Sequence, residues 1–439
     1  MMQIWVGITN PGLTSLDQAQ IQLTASAPMA VSARGQNATL ATIVAPALIF
    51  TPLSLGVHIS TMDRAEEVLT ASLPIIVKAA RAITVESLQR AGRRPTYQGE
   101  FRIDRHGRSL RLSVRVPLDQ YLRGVLASEM PASYHVEALK CQALAARTYA
   151  LNPRISHVKD GVSVCDSYLC CQYFAGTEDS IAAAIESAIE STTSQVIVCK
   201  DKPILALFSA SAGGHTESYQ NCFSDPVTGR FPPQPISYLT GVPEGNYARV
   251  HERVGSEAFL RYLFQAKKHN DTALCADLFS AKFAWSLTLP VSTLEAHLHD
   301  VVEDLLGGKD SAPFVIPPPG GKFGRIRGFE VSKRGVSGVA IELKIKTSHG
   351  DWLVQKELLI RTAFANPEAR LARLNSARIF FDQEQDRFGL LSHLTISGLG
   401  SGHGVGMQQI GAQGFASQGQ NYKQILAHYY PGTNVQVIN

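Results

Sequence analysis

Apolar residues in the first 60 positions come in short runs, Ile4-Trp5-Val6-Gly7-Ile8, Ile21-Gln22-Leu23 and Ala30-Val31, broken by Gly, Asn and Pro. Runs of that length between turn-forming residues predict strands, and hence a β-rich amino-terminal part. Residues 40–57 are the most apolar stretch, but Thr42, Pro46, Thr51, Pro52 and Ser54 interrupt it, so it predicts buried strands and no membrane span. Over residues 63–90 the pattern changes. Val68, Leu69, Leu73, Ile76, Val77, Ala80 and Ile83 recur at three- and four-residue spacing, which predicts an amphipathic helix. After a junction at Gly92 to Pro95, Phe101-Arg102-Ile103 and Leu110 to Val116 alternate apolar and polar residues about His106-Gly107, the pattern of a hairpin.

A helix is predicted next, with Ser133 as its cap, Glu137 in its first turn and a buried stripe of Val136, Leu139, Ala143, Ala146 and Ala150. Lys140 and Arg147, seven positions apart, share another face of that helix. Downstream the pattern predicts helices at 180–190, 257–268 and 292–306 and strands at 195–199 and 339–345. A Pro- and Gly-rich link lies at 316–321. Asn421 and Gln424 form a cap pair for a last helix, which Tyr429-Tyr430-Pro431-Gly432 ends. Strands and helices mixed in this way predict an α/β (α+β) protein. No internal repeat is evident.

At 439 residues the chain exceeds what one core usually organises, so two or three structural units are expected. With 45% hydrophobic and 18% charged residues, long disorder is excluded. The net charge of +4 is mild and scattered, Arg90, Arg93 and Arg94 being the one cluster, which excludes a nucleic-acid reader but suits an anionic polymer. Met1 to Ile8 lacks the basic, apolar and small-residue regions of a signal peptide. Of the seven cysteines only Cys165, Cys170 and Cys171 are clustered.

Glu129 is a single carboxylate among Leu126, Ala127 and Met130-Pro131, in a turn expected just before the 136–150 helix. Apolar surroundings favour the protonated carboxyl, which makes Glu129 a candidate general acid. The competing reading is a surface glutamate at a helix entrance, where the dipole favours negative charge. Ser209 to Glu217 gathers hydroxyls (Ser209, Ser211), glycines and His215, a backbone able to approach a sugar; the G-x-S-x-G elbow of a serine hydrolase is absent. Glycines alternate from Gly398 to Gly406 around His403, without the Gly-Lys-Ser/Thr of a phosphate loop. His157, Cys165, Cys170 and Cys171 offer one imidazole and three sulfurs, a ligand set compatible with structural zinc. Core thiols or a Cys165 to Cys170 disulfide are the alternatives.

The segment VPLDQYLRGVLASEMPASYHVEALKCQALAARTYA, beginning at Val116, resembles the core motif of the SpoIID family, also called the LytB or amidase-enhancer family of peptidoglycan-acting proteins. Three further blocks are similar to family blocks and follow in order: CDSYLCCQYFAG from Cys165, LFSASAGGHTES from Leu207 and GSGHGVGMQQIGAQGFASQGQNYKQILAHYYPGT from Gly400. The resemblance covers the chain from residue 105 onward and is weak over residues 1–100. It implies a mixed-sheet core built from 96–242 and completed by 396–439; the residue pattern adds a β-rich region with a helix over 1–95, and the lapse of the family blocks over 243–395 marks an inserted lobe whose strand portion is expected to rejoin the main sheet.

The same resemblance implies a lytic transglycosylase that cleaves peptidoglycan between N-acetylmuramic acid and N-acetylglucosamine, with Glu129 as acid and then base. Lys140 and Arg147 would handle substrate. The glycine segment would line the active cleft with Glu129, so that His403, Gln408 and Gln409 become substrate contacts beside Ser209, Ser211 and His215, and Tyr430 faces a sugar. Some members bind zinc through a similar loop, which here would be fastened by His157, Cys165, Cys170 and Cys171. Denuded glycan, a partner amidase and a place in the extracytoplasmic cell envelope follow as expectations. The alternatives are a non-catalytic glycan-binding enhancer of an amidase and a metal-dependent hydrolase at His157 to Cys171.

Overall fold

The computed structural model describes residues 2–33, 39–43, 47–54, 56–61, 67–71, 73–152, 156–177, 181–245, 247, 253–269, 274–366 and 371–438. Two compact units result, one of Met1–Ile197, Lys202–Leu205 and Gln436–Asn439, the other of Val198–Asp201 and Ala206–Val435. This division differs from the expected one: residues 206–242 and most of 396–439 belong with 243–395 and not with the Glu129 region. Short-range pattern cannot reveal it, because long-range pairing decides it.

The first unit is β-rich at its amino-terminal end, as the short apolar runs predict. One sheet runs in the order Val164–Cys165, Gln3–Ile8, Ser109–Pro117, Glu100–His106, Ile75–Ala79, Met29–Ala33, Thr39–Ile43, with Asp17–Gln18 against Ser109–Pro117. The predicted hairpin is its centre, with His106 paired to Ser109 and Phe101 to Val114. A second sheet runs Thr96–Tyr97, Ile83–Val85, Ile21–Ala25, Ala47–Pro52, Val57–Thr61, Glu67–Ala71. The helix predicted over 63–90 is not formed. The described part of that span is the strands Glu67–Ala71, Ile75–Ala79 and Ile83–Val85, and residues 62–66 lie outside the described residues. Pro74 cannot sit in a helix interior, and β-branched Ile75, Ile76, Val77, Ile83, Thr84 and Val85 favour strands, with Ile75 and Val77 turned inward.

Among the described residues three α-helices complete the unit: α1 (Leu118–Glu129), α2 (Val136–Ala150) and α3 (Ala183–Glu190). In α1 Leu118, Tyr121, Leu122, Val125 and Leu126 form the buried stripe. Gly124 lies where a Cβ would come within 2.6 Å of the Gly176 carbonyl and meet the Phe174 ring, so its lack of a side chain lets that segment lie on α1. The cap of α2 is His135, whose Nδ1 accepts the Glu137 amide, two residues beyond the expected Ser133. Nearly all of α2 from Ala138 to Ala150 is buried, well beyond the single predicted stripe; its small alanines allow close packing on several sides.

In the second unit the helices Glu257–Lys268 and Val291–Gly307 match the 3.6-residue pattern closely. Phe259, Leu260 and Leu263 of the first pack with Leu278, Phe283, Phe380 and Leu399. Its strands form sheets of their own, Val315–Ile316, Gly350–Gln355, Ala340–Thr347, Ile326–Arg334 and Ala284–Thr288, Leu391–Leu399, Ile379–Gln385; they do not rejoin the main sheet as expected. Among the described residues no helix is long and apolar enough to cross a membrane.

Candidate functional site

Glu129 is the last residue of α1, not a residue before a helix entrance. Pro131 pushes Met130 into an extended conformation and so ends the helix there. The helix dipole therefore acts on Glu129 with its negative end, opposite in sign to the competing reading above. The side chain is half-buried, and its Oε1 accepts the backbone amide of Tyr173 at 3.1 Å.

Tyr173 belongs to the loop that begins at Cys165, and this loop is anchored from several sides. Asp166 is fully buried; its carboxylate accepts the Thr9 amide at 2.8 Å, the Thr9 hydroxyl at 2.5 Å and Nε of Arg90 at 2.9 Å. Arg90, in the sequence a member of a surface-like cluster, is buried too and also donates to the Thr9 carbonyl. Gln172 donates to the Tyr121 hydroxyl and the Ala146 carbonyl, and Phe174 packs on Tyr121 with ring centroids 5.0 Å apart. The loop is thus fixed to both α1 and α2. Asp166, Arg90 and Tyr173 are site-building residues that sequence reasoning missed. An acidic residue inside the cysteine block was the available signal for the first.

His157, Cys165, Cys170 and Cys171 converge as expected, their donor atoms all within 4.8 Å of one another. His157 Nε2 lies 3.2 Å from the Cys170 sulfur, while its Nδ1 meets Asp160 Oδ2 at 3.0 Å. A carboxylate behind an imidazole fixes the ring and directs the other nitrogen at a ligand. Asp160, three residues after His157, went unremarked in the sequence. The thiols are free, so the Cys165 to Cys170 disulfide is not formed. Hydrogen bonding from Cys165 and then Cys171 holds the Cys170 thiol far below its ordinary range. The same network, led by Cys170, pushes His157 up to about 11.

Lys140 and Arg147 differ in surroundings. Lys140 is half-buried and pairs with Glu137 at 2.7 Å. Arg147 is 1% exposed; its Nη1 donates to the carbonyls of Thr192 at 2.8 Å and Gln195 at 3.2 Å, and its Nη2 lies 3.6 Å from Asp119. The reading of Arg147 as a substrate contact is corrected accordingly. Its guanidinium is spent tying α2 to α1 and to the end of α3, because the remaining faces of α2 are buried as well.

The remaining expected contacts lie in the second unit, and the two separated blocks do come together there. Phe208–Ser209 pairs in parallel with Met407–Gln408, and Ser211 bridges Ser401. Gly400 has φ +81°, and a Cβ on it would stand 2.5 Å from the Ser211 carbonyl, so the alternating glycines serve this close approach. Ser209 donates to Gln408 Oε1 at 2.9 Å, and Ser211 donates to Asp277 Oδ2 at 2.8 Å. Asp277 also accepts the Gly213 amide, so it shapes the turn and no histidine stands between it and the serine. Gln408 is fully buried and Gln409 nearly so; Tyr430 is buried with its hydroxyl on the Leu207 carbonyl. His215 and His403 are partly exposed, and burial pushes each imidazole down to about 4.

Residues 106–199 match the SpoIID family, Stage II sporulation protein, and residues 256–406 match a domain of unknown function, DUF8618. The amidase enhancer of Bacillus subtilis (strain 168) is 28% identical over 315 residues, 72% of this chain but only 40% of that protein. An uncharacterized protein of Brachyspira hyodysenteriae is 27% identical over 318 residues, 72% of this chain and 66% of its own length. Stage II sporulation protein D of B. subtilis is 25% identical over 333 residues, 73% of this chain and 74% of its own.

Proposed function

We propose that this chain, which belongs to the SpoIID/LytB (amidase-enhancer) family and so has a cell-wall role, is a lytic transglycosylase that cleaves peptidoglycan between N-acetylmuramic acid and N-acetylglucosamine. The observation that carries the reading is Glu129 itself. It is a half-buried carboxyl at the negative end of α1, with Oε1 fixed by the Tyr173 amide. Because Oε1 accepts that N–H, a neutral Glu129 would carry its proton on Oε2, which would then be the oxygen that meets substrate. The proton passes to the bridging oxygen as the C1–O bond breaks. The muramyl C6 hydroxyl then attacks C1 and returns its proton to the carboxylate, which closes a 1,6-anhydro ring and regenerates the acid. The nucleophile is already tethered, so one carboxyl suffices and no second acid is needed to activate water. Lys140, the fifth residue of the next helix and paired there with Glu137, would meet the anionic muramyl group. Peptidoglycan lies outside the cytoplasmic membrane, so the chain acts extracytoplasmically, with denuded strands from an amidase as substrate.

The ligand set His157, Cys165, Cys170 and Cys171 fits zinc: four donors already converge, and Asp160 orients the imidazole. A zinc ion held there would fasten the loop that reaches Glu129, with no part in the proton transfers.

The name of the amidase enhancer favours a second reading, a glycan-binding protein that stimulates an amidase without cleaving glycan. Mass spectrometry of products from purified denuded glycan separates the two. Transglycosylation yields anhydro-muramyl ends with the wild type and none with Glu129→Gln; an enhancer yields none with either. Anhydro ends released equally fast by Glu129→Gln would exclude the mechanism.

A further inference from the structure

The loop that touches Glu129 carries a turn with an unexpected composition. Cys170 donates its amide to the Ser167 carbonyl at 3.2 Å, so the central residues of the turn are Tyr168 and Leu169. They are 56% and 42% exposed. Turn centres normally hold Gly, Asn, Asp, Pro or Ser, which lower the cost of the conformation, so two large apolar side chains there serve no local folding purpose. Nor is the turn loose. Ser167 is buried, donates its hydroxyl to the Leu13 carbonyl at 2.7 Å and accepts the Leu169 amide at 3.1 Å; the Cys171 amide reaches the Ser167 carbonyl at 2.8 Å. A rigid turn that displays apolar area is a binding feature.

Tyr168 is also placed by a second contact. Its ring stands edge-to-face with Tyr173, centroids 5.6 Å apart and planes at 81°. The Tyr173 hydroxyl accepts the Ala91 amide at 2.9 Å, which holds that ring, while the Tyr173 backbone amide donates to Glu129. One residue therefore both orients the carboxyl, through its backbone, and braces the exposed tyrosine, through its ring.

We propose that Tyr168, braced by Tyr173, is a platform on which one pyranose ring of the glycan strand stacks next to Glu129. The axial C–H bonds of a β-linked pyranose present a weakly positive, apolar face, complementary to the negative face of an aromatic ring. The charged headgroup of a peptide or a phosphate would find no such complement in Tyr168 and Leu169. This inference rests on the reading of Glu129 as a glycan acid and adds the subsite that grips the neighbouring sugar.

The test uses the full chain with Glu129→Gln, so that glycan is bound without turnover, and measures co-sedimentation with denuded glycan strands. Adding Tyr168→Ala should weaken binding about tenfold, whereas Tyr168→Phe should stay within about twofold, the range that aromatic contacts span. In the chain with Glu129 intact, Tyr168→Ala should raise KM with kcat little changed. Tyr168 is exposed, so the melting temperature should not move. Unchanged glycan affinity in Tyr168→Ala overturns the platform, as does equal loss in Tyr168→Ala and Tyr168→Phe, which would make the hydroxyl the contact. Unchanged glycan affinity with an altered sedimentation coefficient overturns it in favour of a protein contact. Failure of the functional reading looks different: the wild type makes no anhydro ends, whether or not the Glu129→Gln chain still binds glycan.

Discussion

The backbone amide of Tyr173 donates to Oε1 of Glu129 across 44 positions of sequence, at 3.1 Å. A main-chain donor cannot be repositioned by rotamer changes, so this contact ties the carboxyl to the loop itself. Glu129→Asp keeps the acid but shortens its reach by one methylene. A displacement of that size at a reacting centre costs on the order of 100-fold, so anhydro-end formation should fall by about that factor in Glu129→Asp and to background in Glu129→Gln. Both variants should keep the wild-type circular dichroism spectrum. Full activity in Glu129→Asp would show that the amide contact does not set the geometry.

Arg147 offers a prediction with the opposite character. Its guanidinium satisfies the carbonyls of Thr192 and Gln195 inside the first unit, with Asp119 as the nearby countercharge. Arg147→Ala removes a charged donor from both carbonyls, of which that of Thr192 keeps the Gln195 amide, leaves Asp119 without that countercharge and opens a cavity, together about 3 kcal/mol of stability. The urea midpoint should drop in the absence of any glycan. A substrate-contacting arginine would leave that midpoint where it is and raise KM alone.

How much of this was legible in the sequence depends on the range of the interaction involved. The hairpin 101–116 and the helix 257–268 were readable because alternation and 3.6-residue spacing are local consequences of strand and helix geometry. The span 63–90 reads as a helix because its apolar residues fit a helical spacing, whereas Pro74 and the β-branched Ile75, Ile76 and Val77 favour strands, and pairing in two sheets decides the matter. Glu129 is legible as an acid but less so as a helix end, because the signals for that, the apolar spacing over 118–126 and Pro131 as a stop, lie on either side of it. The convergence of the four His and Cys residues was visible in the cysteine block. Arg147 reads as a substrate residue because the sequence shows only that it is basic and seven positions from Lys140; the burial of the last turns of α2, where Arg147 lies, is set by distant segments.

The second unit should lose stability in mild acid. His215 and His403 are neutral in the folded protein, with pKa values pushed down to about 4 by burial, whereas the unfolded chain takes up a proton near 6.5. Between pH 6.5 and 4 the unfolded state therefore binds more protons, and stability falls as pH is lowered through that window, with no further loss from these groups below 4. Asparagine at both positions removes the titration while keeping a polar group near the Thr216 carbonyl and the Val405 amide. The wild-type urea midpoint should decline from pH 7 to pH 4, and the double variant His215→Asn/His403→Asn should show a flatter dependence. Equal slopes would mean that other groups carry the acid sensitivity.

Metal content gives the last prediction. Four donors within 4.8 Å can be joined by one ion, and in doing so the thiols lose their protons and the loop from Cys165 to Cys171 is drawn to His157. Protein purified without chelator should contain about one zinc per chain, the stoichiometry of a tetrahedral site. Chelation, or Cys171→Ser, should lower the melting temperature, because the anchor of the loop is lost. Activity should decline in step through the Tyr173 amide, which depends on that loop to meet Glu129. Restoring zinc to the chelated wild type should recover both, and restoring it to Cys171→Ser should recover neither. A chain that carries no metal and whose intact mass is lower by two hydrogen atoms, the signature of a sulfur–sulfur bond, would replace the ion by a disulfide as the fastening of this loop.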